Sequence, residues 1–107
     1  MDGETIHFRG RLWRWSAAGK GSWHFLTIDG EAGQALAATA LMRRLELGKA
    51  RGFGSLKVDV TAGDSSWRTS VFPKSGSVEW MLPVKKAILK TEDLAEGDEV
   101  AVVLAPV

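Results

Sequence analysis

"SSWRTSVFPKSG", residues 65–76, alternates in a way that decides how the rest of the chain is read. Trp67, Thr69 and Val71 fall on one side, and Arg68, Ser70 and Phe72 on the other. A period of two is that of a β-strand with one face in a core. Pro, Ser and Gly then supply a turn. The segment therefore predicts a strand that buries its Trp67/Thr69/Val71 face. Its other face leaves Arg68 and Ser70 to line a groove.

Working outward, the same period recurs. "GSLKVDVTA" (54–62) places Leu56, Val58 and Val60 inward and Lys57 and Asp59 outward. "VEWMLPV" (78–84) aligns Val78, Trp80, Leu82 and Val84, with Pro83 ending the strand and suited to the first position of a helix. "KKAILKTEDL" (85–94) predicts that short helix, and Glu99–Leu104 a last strand after a turn at Gly97-Asp98. Towards the N-terminus, "HFRGRLWRW" (7–15) puts Phe8, Gly10 and Leu12 on one face and His7, Arg9, Arg11 and Trp13 on the other. "SAAGKGS" (16–22) is a turn and "WHFLTI" (23–28) its partner strand. Between them and residue 54 the period changes. Leu36, Ala40, Leu41 and Leu45 recur at helical spacing. Asp29 stands at the N-cap, Glu31 in the first turn, Arg43 and Arg44 in the last, and Gly48 at C′.

Strand, turn, strand, helix, strand thus occurs twice, over about residues 7–62 and 66–104. Each half has one apolar sheet face that needs cover. The economical solution is a mainly β fold in a single domain spanning 1–107. It is a closed six-stranded β-barrel with pseudo-twofold symmetry, with a short helix capping each end. Closure also removes exposed strand edges.

Composition narrows the chemistry. A chain of 107 residues suffices for one core. With no cysteine there is no disulfide, thiolate metal site or cysteine nucleophile. The start "MDGETIHFRG" lacks a basic segment followed by an apolar run, and no apolar run reaches the roughly 18 residues of a membrane helix, so the expectation is a cytoplasmic protein without membrane association. A formal charge of +1 is low for a dedicated nucleic-acid binder. The charge is uneven, however. Arg43, Arg44, Lys49, Arg51 and Lys57 share 41–57 with Glu46 as the sole acid, while 92–99 holds Glu92, Asp93, Glu96, Asp98 and Glu99 and no base.

No catalytic constellation emerges. His7 and His24 lie on adjacent predicted strands, but zinc needs three or four ligands including a close local pair, so neither metal nor cofactor is expected. "RGFG" (51–54) leaves a helix and enters a strand, opposite to a phosphate loop. Lys85 and Lys86 stand in the first turn of the second helix, where free N–H groups and two ammonium groups suggest an anion site. Trp13 and Trp15 point outward, interleaved with Arg9, Arg11 and Arg14; such a surface suits cation–π contacts, a partner or a stacking platform.

Four motifs resemble a known bacterial family. Gly52-Phe53-Gly54, Trp67 through Pro73, Leu82 through Lys86, and Leu94 through Leu104 follow one another as in the family called domain of unknown function 1905. The first half matches that family only in layout. The resemblance implies a small double-split β-barrel and no established biochemical role. More distantly, "MLPVKKAILKTEDLAEGDEVAVVL" is similar to the swapped-hairpin barrel of AbrB-like regulators, which bind DNA as dimers; both families usually place Arg where Leu89 stands.

The expectation is therefore a non-catalytic binding module, monomeric or weakly dimeric. It takes a small molecule or a peptide in a groove lined by Arg9, Arg11, Trp13, Arg68 and Ser70. The alternative is nucleic-acid binding, AbrB-like, through Arg43, Arg44, Lys49, Arg51, Lys85 and Lys86.

Overall fold

The computed structural model describes residues 5–19, 21–47 and 54–107. Its elements follow in chain order as β1 (Ile6–Arg11), β2 (Trp13–Ser16), β3 (Ser22–Ile28), α1 (Gly30–Leu47), β4 (Leu56–Ala62), β5 (Ser65–Pro73), β6 (Trp80–Val84), α2 (Lys86–Thr91) and β7 (Glu99–Pro106). The strands form one antiparallel sheet ordered β1-β7-β4-β5-β6-β3-β2. It curls into a half-barrel around a core of Leu26, Ile28, Leu36, Val58, Val60, Val71, Leu82, Val102 and Leu104. Trp67 and Trp80 are buried there as their alternation predicts. No polar or charged side chain is buried among the described residues, so the core carries no desolvation penalty for unpaired groups.

The expected closed six-stranded barrel is corrected to this seven-stranded curled sheet. The difference arises at Leu12. Residues 7–15 alternate as one strand, but the Leu12 amide donates to the Asp98 carbonyl and the Leu12 carbonyl accepts from the Gly97 amide, both at 2.8 Å. That clasp to the turn before β7 ends the β1–β7 ladder at Arg11↔Glu99. Beyond it the chain pairs with β3, starting at Trp13↔Phe25. The two terminal strands of the sheet are thus consecutive in the chain. β1 comes alongside β3 without a hydrogen-bonded ladder.

Three further expectations shift. Val78 is 61% exposed because the turn before β6 is longer than predicted: Lys74 N–H bonds the Glu79 carbonyl, and Glu79 N–H bonds Ser77 Oγ. Pro83 lies inside β6, opposite Phe25, rather than opening the helix. It is tolerated because the β5 ladder ends at Phe72↔Met81, so β6 has lost its partner on that side. In α1, Leu36 is fully buried, whereas Leu41 and Leu45 are exposed, so the apolar seam runs on beyond the part of the helix that is covered. The expected C′ position of Gly48 lies outside the described residues.

The helix ends have physical causes. The Asp29 carbonyl accepts the first α1 bond, from Gly33. α2 ends in a Schellman arrangement: Leu94 N–H bonds the Leu89 carbonyl, Asp93 N–H bonds the Lys90 carbonyl, and Asp93 takes the left-handed φ of 56°. Leu89 and Leu94 each pack against the core. No helix among the described residues is long and apolar enough to cross a membrane.

Gly33 sets how closely α1 meets the sheet. A Cβ there would lie 2.9 Å from the carbonyl oxygens of both Ile28 and Val78. Helix propensity favours Gly33→Ala by about 1 kcal/mol, but overpacking against rigid backbone costs about 1–3 kcal/mol. The variant should be less stable in urea unfolding. An equal or higher midpoint would show that α1 has room to move away from Val78.

Candidate functional site

Cross-strand register divides the outer face of the sheet into two halves. Over β1, β7, β4 and β5 it is polar. Arg9 approaches Glu99 at 4.0 Å, and Arg11 donates to the Gly97 carbonyl. Thr61 and Ser66 hydroxyls lie 3.2 Å apart, and Arg68 forks onto Asp59 at 2.7 and 3.3 Å. Over β2, β3 and β6 it is aromatic and apolar. Trp13 lies opposite Phe25, which lies opposite Pro83; Trp15 lies opposite Trp23; Thr27 lies opposite Met81, which lies opposite Phe72 on β5. Ring centroids are 5.0 Å apart in the Trp13–Phe25 pair and 5.2 Å in the Trp15–Trp23 pair. The Trp13 indole N–H donates to Thr27 Oγ1, which satisfies its one polar atom.

The proposed ligand residues are not brought together. Arg9, Arg11, Arg68 and Ser70 stand on the polar half, with β7 and β4 between β1 and β5; Trp13 is on the aromatic half. Arg9 lines an open groove of about 500 Å³ over β7 with His7, Thr61, Ala101 and Val103. Arg11 and Arg68 are both engaged by groups of this chain. Ser70 sits opposite Lys57. In the alternative basic set, Arg43 donates to the Val107 oxygen, Arg44 is exposed, and Lys49 and Arg51 lie outside the described residues.

Lys85 and Lys86 line a second groove, of about 330 Å³, with Gly21, Ser22, Trp23, His24 and Val84. It forms where β3 leaves the 16–22 turn and β6 hands over to α2. Trp23 is 45% exposed and Trp15, beside it, 49%. Among the described residues neither lysine has a carboxylate within ion-pair distance. His7 and His24 line different grooves, so the imidazoles do not meet.

The sequence reading missed Trp23 and His24. A signal was present. A turn over 16–22 makes Trp15 and Trp23 the residues that flank it, and flanking residues of a hairpin oppose each other. The aromatic character of "WHFLTI" was instead spent on its strand propensity.

The Asp59–Arg68 fork has a pH signature. The Arg68 hydrogen bond holds the Asp59 carboxyl below its ordinary range; desolvation opposes it, and the Arg68 charge adds a lesser lowering effect. Arg68 is raised by the same bond. A carboxylate depressed in the folded state stabilises above its unfolded pKa, about 3.9, and that contribution fades as pH falls through the lowered value. Asp59→Asn should therefore separate from the wild type in thermal unfolding near neutral pH and converge with it at strongly acidic pH. A gap that stays constant through the acid range would contradict the assignment.

Comparison with curated proteins finds no match. A family model does match, over residues 8–104, and so takes in the first half of the chain as well as the motif-bearing second half. The sheet, its two helices and nearly the whole chain therefore fall within one family: this protein belongs to Domain of unknown function (DUF1905).

Proposed function

We propose that the protein is a non-catalytic binding module that takes a small anionic molecule bearing a flat ring in the Trp23–Lys86 groove. One observation carries the reading: a half-exposed indole, an imidazole and two lysines without carboxylate partners among the described residues share that groove. Indole offers a face for a planar group, and cations beside it attract charge without selecting a rigid geometry. The arginines on the polar half are less suited, since Arg11 and Arg68 already hold groups of this chain.

An AbrB-like DNA reading through the 41–57 band has weaker support. Arg43 is committed to Val107, and the described part of α1 adds only Arg44 beside it. The groove reading needs neither residue.

Nucleoside 5′-monophosphates combine a flat ring with an anion and are suitable probes. Titration followed by indole fluorescence should give saturable binding that inorganic phosphate or the free nucleoside alone does not match. The double variant Lys85→Ala/Lys86→Ala and the variant Trp23→Ala should each weaken binding by about tenfold or more, since charge-assisted contacts and ring stacking are each worth more than about 1 kcal/mol. Failure of every mononucleotide to bind at low salt would remove the reading.

A further inference from the structure

We propose that the groove is the first position of a longer track, and that the flat-ringed anion it takes is one nucleotide unit of a single-stranded nucleic acid. The proposal rests on the groove reading above and extends it along the sheet.

Three observations carry it. First, the aromatic surface does not stop at the groove. From Trp23 it passes across the ladder to Trp15, and then two residues along to the Trp13–Phe25 pair. Two residues of antiparallel strand span about 7 Å, about twice the 3.4 Å rise of a stacked nucleotide strand. Bases splayed onto successive side-chain pairs meet that spacing; bases stacked on one another do not. Second, the rings of each pair are in contact, tilted by 30° and 40°, and Trp13 and Phe25 are partly exposed. Trp15 and Trp23 stay about half exposed. Third, the charge at the groove has one sign: Lys85 and Lys86 line it and, among the described residues, no Asp or Glu does.

The same charge pattern argues against a second copy of the chain as the occupant. Isologous pairing would set these cations against their own copies, whereas a phosphate backbone neutralises them. Aromatic rings without a fixed donor–acceptor pattern bind any base through its face, so binding is expected to be tolerant of sequence.

The test compares thymidine 5′-monophosphate with single-stranded hexathymidylate and its ribose counterpart carrying the same base, by fluorescence anisotropy and competition at low salt. Either hexamer should bind at least about tenfold tighter than the mononucleotide, and the sugar bound more tightly identifies the source strand. Affinity should fall with salt in proportion to the few phosphates contacted. Trp15→Ala should reduce the hexamer-to-monomer ratio to less than about threefold, while Trp15→Phe, which keeps a ring, should retain most of it. Thermal melting of both variants establishes that they are folded. A ratio near one in the wild type would overturn the track and leave the groove reading standing. Loss of binding for monomer and hexamers alike would overturn both. An undiminished ratio in folded Trp15→Ala would overturn the track as drawn.

Discussion

The clasp between Leu12 and the Gly97–Asp98 turn organises this molecule. Two backbone hydrogen bonds at one buried residue end one ladder and release the chain into another. Because the same segment supplies both terminal strands of the sheet, the sheet must curl until its ends are a single residue apart. Curling gives every strand but β2 one face in a common core and one face outside. It also brings β1 alongside β3, which shields edges that a flat sheet of this length would leave open.

The surface chemistry follows from that arrangement. The strand order sets β1, β7, β4 and β5 together, and their outward positions include the Arg9–Glu99 and Asp59–Arg68 pairs and the Thr61–Ser66 hydroxyls. It sets β2, β3 and β6 together at the other end, where the outward positions are rings, Thr27, Met81 and Pro83. The two halves differ in what water can do for them. On the polar half Asp59 pairs with Arg68 and Arg9 approaches Glu99. The aromatic half keeps half-exposed indole surface beside Lys85 and Lys86, which have no ion-pair partner among the described residues, and this contrast supports the candidate site at the β3–α2 junction.

Much of the fold was legible. Leu56, Val58 and Val60, then Trp67 and Val71, then Trp80, Leu82 and Val84 alternate with few interruptions, and all are buried. The Leu12 clasp was not legible, because alternation continues through residues 7–15 without a break. What splits the strand is a tertiary partner more than eighty residues away. Val78 was misplaced for a related reason: alternation extends correctly in phase, but side-chain bonding in the 74–79 turn holds it out. Leu41 and Leu45 obey helical spacing, yet only tertiary packing decides how far a seam is covered. At the site, Lys85 and Lys86 were legible from their position before a helix. Their neighbours Trp23 and His24 needed the hairpin register to be read as a surface as well as a strand.

The central claim is that both ladders made by residues 6–16 lie within a single chain. Isotope-filtered nuclear Overhauser spectroscopy on an equimolar mixture of labelled and unlabelled protein tests it directly. The account predicts that contacts between Phe8 and Val102 and between Trp15 and Trp23 appear only in the intramolecular spectrum, with the Leu12 and Gly97 amides protected from exchange. Either contact appearing between labelled and unlabelled molecules, or rapid exchange at Leu12, would contradict it.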